Sequence, residues 1–368
     1  MLRLTVDVGK ITDNFRHVAS ICETRGLSLA VVIKLCLSRL DIVEPLIEAG
    51  ARLLADTNLE NFARLGKLGN RENRGERPER LLLRSSLTQI QKGLDFCDYV
   101  FLSETALVEA LGQSKRGREV GVYVSVEAGD MRDGVTAEEL PGFVAKAASG
   151  GQAPRIVGFA ANYGCLSGFV PVLEDLARLR ELCDRAARRA GLVDYGLSMG
   201  GTTIFDMIAD GSLDGIADQV RIGEAIFFGY NMSLGKRIPG LHSDALVLTG
   251  EAIEVKEKLV SPREAEGLNA FGEKAKPQAP GYRKRVILNF GELAAPIKGL
   301  EALAPGAFFV GATHDYAVLD VTDCANPPRP GDAVHFRTNY NSAAQAMLSP
   351  YVEKMAVRRP VYAREGEG

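Results

Sequence analysis

The sequence is poor in the residues that build metal and disulfide sites. Its six cysteines are scattered, without a Cys-x-x-Cys pair, and its four histidines lack metal-ligand spacing. This pattern argues against a structural zinc site or another metal site, and it favours free thiols in a reducing compartment. The cysteines are Cys22, Cys36, Cys97, Cys165, Cys183 and Cys324, and the histidines are His17, His242, His314 and His335.

The chain also lacks the features of secreted, membrane and nucleic-acid-binding proteins. An acidic residue, Asp7, stands where a signal peptide would need an unbroken apolar region. No apolar run approaches the roughly 20 residues of a membrane span. With 44 basic against 47 acidic residues, the net charge of -3 gives no attraction for nucleic acid. We therefore expect a cytoplasmic protein without nucleic-acid or membrane partners.

The main pattern in the first part of the sequence is a repeated alternation of short apolar runs with amphipathic stretches. At 368 residues the chain exceeds the usual size of one core, so two domains are expected. The alternation is typical of parallel strands joined by crossover helices. Eight strands in about 200 residues fit a closed (β/α)8 barrel. An open doubly wound sheet is the alternative, although the dinucleotide fingerprint is absent after the first strand. The predicted strands are 28–33, 52–55, 80–83, 99–102, 120–126, 156–160, 195–199 and 219–221.

Beyond the barrel region the pattern changes to short strands separated by Gly, Pro and Asp, which are turn signals. The sequence thus predicts an α/β plus β fold. A (β/α)8 barrel spans 8–235, and a mainly β domain spans 236–368 together with the opening strand 1–7. The strands predicted for this second domain are 245–252, 285–288, 308–310, 317–321 and 333–337.

Chemistry in a (β/α)8 barrel takes place on the loops after the carboxyl ends of the strands. The first predicted strand is apolar and leads directly into Lys34. Such a lysine either extends its amine to water, or is a desolvated amine able to form a Schiff base with an aldehyde. Position alone leaves both interpretations open.

The loop after the seventh strand reads Ser198-Met-Gly-Gly-Thr-Thr203, and glycines with hydroxyls can cradle a phosphate. A tight turn with a threonine cap is the simpler interpretation of this loop alone. Lys34 and this loop together favour a phosphorylated aldehyde cofactor. Arg221 ends the eighth strand, where it either pairs with Glu224 or points over the barrel mouth. The loops after strands five and six, 127–134 and 162–168, bring further polar groups to the same rim.

With these residues in hand, the chain resembles the fold-type III pyridoxal-phosphate enzymes, the alanine racemase superfamily, and within it the ornithine racemase-like family. The similarity covers nearly the whole chain, in order and spacing. The matching stretches are Val32-Ile-Lys34, Leu54-Ala-Asp-Thr-Asn-Leu-Glu-Asn61, Leu81-Leu-Leu-Arg84, Ser103-Glu104, Gly129-Asp-Met-Arg-Asp-Gly134, Gly200-Gly-Thr-Thr203, Arg221-Ile-Gly-Glu-Ala225, Ala270-Phe-Gly-Glu273, Leu319-Asp-Val-Thr-Asp323 and Ser349-Pro-Tyr-Val-Glu-Lys354.

The resemblance implies a role for each matching position. Lys34 would bind pyridoxal phosphate covalently and act as one catalytic base. Arg221 would face the pyridine nitrogen, and since arginine keeps its proton, it would leave that nitrogen unprotonated. The positions expected around the phosphate are Ser198, Gly200, Gly201, Thr202, Thr203, Gly223 and Glu224.

The resemblance also implies a homodimer, because the second base comes from the β domain of a partner subunit. Alanine racemase has a tyrosine after a glycine where this chain reads Gly291-Glu292, so that tyrosine is missing. The candidates for the second base are His314 and Tyr316, followed by Tyr340 and Cys165. Asn162, Cys165, Asp315 and Tyr340 are predicted to contact substrate, with Asp315 or Glu273 available for a distal ammonium group.

The predicted function is therefore racemisation of an amino acid, with ornithine, lysine or another polar amino acid as substrate. Two alternatives keep the cofactor. One is another fold-type III reaction by a lyase, epimerase or decarboxylase. The other is a non-catalytic pyridoxal-phosphate-binding protein, although such proteins are single barrels without a β domain.

Overall fold

The computed structural model describes residues 1–66, 77–92, 94–151, 153–260, 267–274 and 280–358. The chain divides into two compact units, Ile11–Leu241 and the combination of Met1–Lys10 with His242–Gly368. The domain bounds expected from sequence, at residues 7/8 and 235/236, stay a prediction.

The first unit is a closed barrel. The chain opens with β1 (Arg3–Asp7) and α1 (Val8–Thr24), a helix that the prediction from sequence omits. Within the described residues, eight parallel strands then pair in chain order, and the last pairs with the first. They are β2 (Ser28–Val32), β3 (Leu53–Asp56), β4 (Glu79–Leu82), β5 (Tyr99–Leu102), β6 (Gly121–Ser125), β7 (Arg155–Asn162), β8 (Gly196–Gly200) and β9 (Gln219–Ile222).

Each strand of this barrel overlaps one predicted from the sequence, so the predicted (β/α)8 barrel is confirmed. The helices between and after the strands are α2 (Leu40–Glu48), α3 (Leu59–Leu65), α4 (Leu87–Gln91), α5 (Thr105–Gly112), α6 (Lys115–Glu119), α7 (Leu140–Ala147), α8 (Leu173–Ala190), α9 (Phe205–Asp210) and α10 (Glu224–Phe228). Local capping ends them, as where Gly191 adopts a φ of 70° at the end of α8, a conformation that glycine takes without strain.

Apolar side chains fill the barrel interior, as expected for strands whose alternate residues face inward. Ala30, Ala55, Leu81, Phe101 and Ala160 form one buried cluster. Because all eight strands run parallel, their carboxyl ends meet at one rim, which we call the barrel mouth.

The second unit is mainly β, as predicted. A small pair, β10 (Tyr230–Asn231) with β11 (Lys236–Arg237), ends the barrel unit, and the β domain follows. Strand β1 joins this domain, pairing antiparallel with its first strand and parallel with its last. The elements are β12 (Leu246–Val260), β13 (Gly281–Leu288), β14 (Leu300–Ala302), β15 (Phe308–Ala312), β16 (Ala317–Asp320), β17 (Ala333–Thr338), α11 (Tyr340–Leu348) and β18 (Glu353–Val357).

Two further observations concern the whole described chain. None of its helices is both long and apolar enough to cross a membrane. All six cysteines lie in the described part and are free thiols; Cys165 is exposed and Cys324 partly so, whereas the others are buried.

Candidate active site

Lys34 lies just beyond the end of β2, at the barrel mouth. The Ile33 N–H donates to the Ala55 oxygen at 2.9 Å, so the ladder to β3 continues to the residue before Lys34. Lys34 then opens a short 3-10 helix, Lys34–Cys36, and is partly buried. Leu37 and Ser38 follow with φ of 50° and 53°, which costs a non-glycine residue about 1 kcal/mol or more. Strain of this kind, beside an amine on a barrel rim, is typical of a functional site.

Two carboxylates share the neighbourhood of Lys34. Burial raises the pKa of Asp56, against the hydrogen bonds it accepts and the charge of Lys34. Burial likewise raises the pKa of Glu224, against the Met232 N–H, which donates to Oε1 at 2.6 Å, and against the charge of Lys34. The Lys34 ammonium is therefore electrostatically linked to an acid on β3 and to an acid at the start of α10.

Arg221 is the buried cation of the barrel interior. Its Nη1 donates to the Ser198 carbonyl oxygen at 2.8 Å and to Ser198 Oγ at 2.9 Å, and its Nη2 donates to the Ala161 oxygen at 2.7 Å. The guanidinium carbon lies 4.8 Å from the centre of the Phe101 ring. These acceptors are all neutral. Burial, reinforced by the charge of Arg132, lowers the pKa of Arg221 to about 10.

Ser198 supports Arg221 from within the barrel. It is fully buried, and its hydroxyl donates to Gln219 Oε1 at 2.6 Å while accepting from Arg221. Gln219 in turn hydrogen-bonds the Tyr123 phenol. The hydroxyl that the sequence assigned to a phosphate is thus engaged inside the barrel, and its phosphate contact stays a prediction.

The turn after β8 forms an open cradle. A Cβ on Gly200 would lie 2.4 Å from Arg221 Nη2, so only glycine fits there. A Cβ on the next residue, Gly201, would have nothing within 4 Å, so this backbone faces open space. Thr202 then begins a 3-10 helix, Thr202–Ile204. The first N–H groups of such a helix have no acceptor within it and are suited to an anion.

Side-chain hydrogen bonds hold this turn against its neighbours. Thr202 Oγ1 accepts from the Ala225 N–H at 3.1 Å, which joins the turn after β8 to the start of α10. Thr203 Oγ1 lies 2.9 Å from Ser233 Oγ. At Gly223 a Cβ would lie 2.9 Å from the Val32 oxygen, so this glycine lets β9 and β2 approach closely. The residues predicted to surround a phosphate are thus brought together at one edge of the mouth.

The loop after β6 carries residues that the sequence-based list of site residues omits. Its Glu127 carboxylate accepts three backbone N–H groups, from Gly129 at 2.7 Å, Met131 at 3.0 Å and Arg132 at 3.2 Å. Arg132 lies on the same loop, where its Nε donates to Asp133 Oδ1 at 2.6 Å, and its charge helps to lower the pKa of Arg221. The signal available in the sequence was the alternation of opposite charges directly after a predicted strand.

The loop after β7 holds two predicted substrate contacts, Asn162 and Cys165. The Asn162 amide donates to Asp130 Oδ2 at 2.9 Å, so it joins the β7 and β6 loops. Cys165 lies three residues further along this loop, and its thiol is exposed. Both residues therefore belong to the barrel mouth.

In the second unit, His314, Asp315 and Tyr316 form the exposed turn between β15 and β16. The turn is fixed by backbone bonds: the Thr313 N–H donates to the Tyr316 oxygen at 2.7 Å, and the Leu293 N–H donates to the His314 oxygen at 3.0 Å. The His314 ring lies 4.7 Å from the Phe271 ring, and the Tyr316 side chain is half exposed.

Tyr340 is linked to the same end of the second unit through the segment after β13. Tyr340 is the first residue of α11, and the preceding Asn339 N–H donates to the Gly299 oxygen at 2.8 Å. A Cβ on Gly291, in that segment, would lie 2.4 Å from the Thr313 oxygen, so glycine is required where the segment passes the His314 turn. The structure thus groups the second-unit candidates, which we call the tip cluster: His314, Asp315, Tyr316 and Tyr340.

The donor set of the barrel mouth fits pyridoxal phosphate. Lys34 offers an amine for the aldehyde, and the open backbone at Gly201 with the following helix start suits the phosphate. Burying a cation among neutral acceptors is costly, and an electron-rich ring nitrogen would offset part of that cost for Arg221.

Comparisons with known proteins agree with this fit. The family described as "Alanine racemase, N-terminal domain" matches residues 6–231. The chain is 30% identical over 355 residues to a lysine racemase from Thermotoga maritima, covering 96% of this chain and 98% of that protein. It is 27% identical over 356 residues to an ornithine racemase from Acetoanaerobium sticklandii, with the same coverage, 96% and 98%.

A solved structure shares the fold over nearly the whole chain. The alanine racemase from Bartonella henselae, described with covalently bound pyridoxal phosphate, aligns with a TM-score of 0.69 at 16% identity, covering 97% of this chain and 99% of that one. The match to the family and the full-length similarity to curated racemases carry the assignment. The chain belongs to the alanine racemase family and is a pyridoxal-phosphate-dependent amino-acid racemase.

Proposed function

We propose that this racemase interconverts the L and D forms of a basic amino acid, lysine or ornithine, with Lys34 as one of two catalytic bases. The observation that carries the substrate class is the similarity over 96% of the chain to racemases of these two amino acids.

The barrel mouth supplies the groups that would hold the cofactor. Lys34, Arg221 and the turn Gly200–Thr203 are the principal ones, with Ser198, Gly223 and Glu224 beside them. When bound, pyridoxal phosphate offers an aldehyde that condenses with amines and a ring that withdraws electrons from the substrate α-carbon.

Lys34 is the base for one face of the α-carbon. Its amine stands at the rim, partly buried, where a substrate entering the mouth meets it. Nζ takes the α-proton in one direction of the reaction and returns it in the other, which requires an amine that is neutral for part of the cycle.

Arg221 would limit electron withdrawal by the ring of a bound cofactor. A guanidinium retains its proton and cannot accept another, so a ring nitrogen facing it stays unprotonated. A weaker electron sink favours return of the proton to the α-carbon over side reactions. Ser198 and Ala161 hold the guanidinium in place through three hydrogen bonds.

Arg132 is suited to the substrate carboxylate. It lies on the β6 loop, its side chain is 43% exposed, and its charge reaches Arg221. A guanidinium presents paired donors that match a carboxylate. Asn162 and Cys165, on the neighbouring loop, complete this side of the proposed substrate site.

The second base belongs to the tip cluster of a partner copy, so we infer a homodimer. Racemisation needs an acid/base group on the opposite face of the α-carbon. Histidine titrates near neutral pH without assistance, which favours His314. Tyrosine holds its proton to about pH 10 and needs a cation beside it, so Tyr316 would act with one. Asp315 or Glu273 is then available for the distal ammonium of lysine or ornithine, and Tyr340 for substrate contact.

We also infer a cytoplasmic location. The six cysteines are free, and the four buried ones are packed in the core without a partner sulfur. Free thiols persist in reducing compartments.

The test is α-proton exchange with a panel of amino acids. The purified holoenzyme is incubated in deuterated water with L-lysine, L-ornithine, L-alanine or L-glutamate, and loss of the α-proton signal is followed by NMR. Because a site built for a charged side chain leaves its polar groups unpaired with alanine, we expect kcat/KM for lysine or ornithine to exceed that for alanine by at least about 100-fold.

Several results of these measurements would contradict the proposal. Faster exchange with alanine or glutamate would overturn the basic substrate class. Exchange without conversion to the D form, measured by chiral chromatography, would contradict a two-base racemase. Sedimentation of the holoenzyme as a monomer at all working concentrations would contradict the shared site.

A further inference from the structure

Asp130 is a buried carboxylate on the β6 loop that the proposed chemistry does not use directly. Its side chain is 5% exposed. Oδ2 accepts from the Asn162 amide at 2.9 Å, and Oδ1 accepts from the Leu166 N–H at 2.9 Å. Asn162 is the last residue of β7, and Leu166 lies on the loop that follows it. A single carboxylate therefore ties the β6 loop to the end of β7 and to the loop beyond it.

The same carboxylate faces Arg132. Arg132 Nη1 lies 3.6 Å from Asp130 Oδ2, while its Nε donates to Asp133 Oδ1 at 2.6 Å. The two carboxylates differ in their surroundings: that of Asp130 is 5% exposed and that of Asp133 is 43% exposed. Arg132 thus makes a short hydrogen bond to an exposed carboxylate, which constrains a side chain little, and a longer ion pair to a buried carboxylate that is itself held in place.

The loop that presents Asp130 is built rigidly. The Glu127 carboxylate gathers three successive N–H groups of the loop, and Met131 is held at a φ of 56° with its side chain 76% exposed. A strained, exposed methionine has no packing role that would repay this conformation. The strain is explained if the conformation serves the two neighbours of Met131, which are Asp130 and Arg132.

A second set of contacts also joins the loop after β6 to the loop after β7. Ser167 Oγ donates to the Gly129 oxygen at 2.8 Å and accepts from the Phe169 N–H at 3.0 Å. A Cβ on Gly129 would lie 2.6 Å from the Phe169 ring, so the two loops are in close contact. We call Asp130, its two hydrogen-bond donors Asn162 and the Leu166 N–H, and its ion-pair partner Arg132 the mouth latch.

The latch reaches Arg221 through Asn162. Because the Asn162 Nδ2 donates to Asp130, its Oδ1 must point the other way. That oxygen lies 3.0 Å from where a Gly200 Cβ would stand, and Arg221 Nη2 lies 2.4 Å from the same point. The amide oxygen and the guanidinium thus lie on the same side of Gly200, near one point. The hydrogen bond to Asp130 is consistent with this orientation of the Asn162 amide.

We propose that Asp130 is a positioning residue of this racemase, which fixes Arg132 over the mouth and turns the Asn162 oxygen toward Arg221. This inference rests on the proposed function for the role of Arg132 toward the substrate carboxylate. Without the carboxylate, Arg132 keeps its exposed pair with Asp133, and the Asn162 amide loses the acceptor that sets its orientation.

The principal test compares Asp130→Asn with Asp133→Asn in the holoenzyme. Both changes remove one negative charge next to Arg132, but only the first breaks the latch. Because hydrogen bonds to buried charges are strong, we expect Asp130→Asn to lower kcat/KM by roughly 10- to 100-fold, mostly through a higher KM. Asp133→Asn, the matched control, should change kcat/KM by less than about fivefold.

Amide hydrogen exchange followed by mass spectrometry gives a readout independent of activity. Asp130→Asn should speed exchange in the peptide that contains Leu166 by at least about tenfold, since its N–H loses a buried charged acceptor. Asp133→Asn should leave that peptide unchanged. Equal exchange in both variants would overturn the latch, and faster exchange with an unchanged KM would overturn the positioning role.

Two further cases keep the test of Asp130 decisive. If Asp130→Asn does not fold, Asn162→Ala removes the same link from the other side, and an unchanged KM in that variant would overturn the proposal. If the wild-type enzyme racemises no amino acid, the proposed function fails, and the latch is then judged by the exchange of the Leu166 peptide alone.

Discussion

The barrel mouth and the tip cluster are built in opposite ways. At the mouth Arg221 is buried, and Ser198 and Ala161 hold its guanidinium through three hydrogen bonds. In the tip cluster the backbone is fixed, but the side chains are open: Tyr316 is 50% exposed, and its turn is fixed by backbone bonds to Thr313. In the proposed dimer, the exposed side chains of the tip cluster would meet the barrel mouth of a partner copy.

The free-energy cost of building the site therefore falls mainly on the barrel mouth. A guanidinium buried among neutral acceptors destabilises the barrel, and such groups are retained where chemistry requires them. An exposed tyrosine on a hairpin turn costs the second unit little. The mouth should therefore respond to substitution even in an isolated subunit, and the tip cluster only where it meets its partner.

The largest effect is expected from Lys34→Ala. This change removes both the amine that would bind the cofactor covalently and one proposed base. We expect racemisation to fall by more than about 10,000-fold, with loss of the visible absorption band that borohydride removes in the wild type. The assay is α-proton exchange by NMR together with an absorption spectrum of the purified protein.

Lys236→Ala is the matched control for that change. Lys236 lies in the same unit, where its exposed Nζ pairs with Asp206 at 2.5 Å. We expect it to keep its colour and activity within about threefold. A coloured, active Lys34→Ala protein would refute the central role of Lys34.

The second-largest effect tests the tip cluster. His314→Asn and Tyr316→Phe each remove one candidate base with little change of shape. Because an acid/base group contributes about 100-fold or more, we expect one of the two variants to lose at least that factor in both reaction directions. The unfolding midpoint should stay close to that of the wild type, since both side chains are outside the core.

Mixed dimers sharpen this test. A Lys34→Ala subunit combined with a subunit that lacks the second base should recover part of the activity, because one of the two shared sites is then intact. If both tip variants keep most of their activity, the second base lies elsewhere, with Cys165 and Tyr340 next to be replaced.

The sequence predicts which residues reach the barrel mouth better than it predicts their side-chain contacts there. All eight barrel strands follow from apolar runs with turn signals, and parallel strands bring Lys34, Gly200 and Arg221 to one rim. The pattern does not tell which way a polar side chain turns. Ser198 faces the barrel interior, and Asp130 is buried although it lies in a charged loop. Both results depend on contacts between loops far apart in the chain.

Several short helices and strands are also not predicted from the sequence. Helices α6, α9 and α10 and strand β14 have at most six residues, too few for a periodic pattern to emerge. Helix α1 was omitted although it is long, because its apolar residues follow β1 without a turn signal between them. The members of the tip cluster follow from the resemblance alone, and the structure adds the backbone bonds that fix the turn of His314, Asp315 and Tyr316.

A smaller effect is expected from Glu224→Gln at the mouth. Burial raises the pKa of Glu224 above its ordinary value of 4.5, so ionising it costs the native state more than the unfolded state. That cost is absent below about pH 4.5 and grows as the pH rises through the native pKa. Replacing the carboxylate should therefore raise the unfolding midpoint near pH 8 by about 1–3 °C, with the gain disappearing toward pH 4.5.

The measurement is thermal unfolding of both proteins at several pH values. Glu138→Gln, an exposed acid in the same unit, is the control and should give no pH-dependent difference. A gain that grows toward low pH would reverse the expected sign and show that Glu224 is stabilised as a carboxylate, by Lys34 and the Met232 N–H.

The smallest effect uses one thiol in each region as a reporter. Cys165 is exposed at the mouth and Cys324 is partly exposed in the second unit, whereas burial raises the pKa of Cys22, Cys36 and Cys97 to about 12. At pH 8 an alkylating reagent should therefore label Cys165 first and Cys324 slowly, with the buried thiols protected. Peptide mass spectrometry gives the rate at each cysteine. Saturating lysine or ornithine should slow Cys165 by about three- to tenfold and leave Cys324 unchanged, because only the mouth is occupied by substrate. Slower labelling of both Cys165 and Cys324 would mean that substrate protects both regions. That result would contradict the difference between the barrel mouth and the tip cluster.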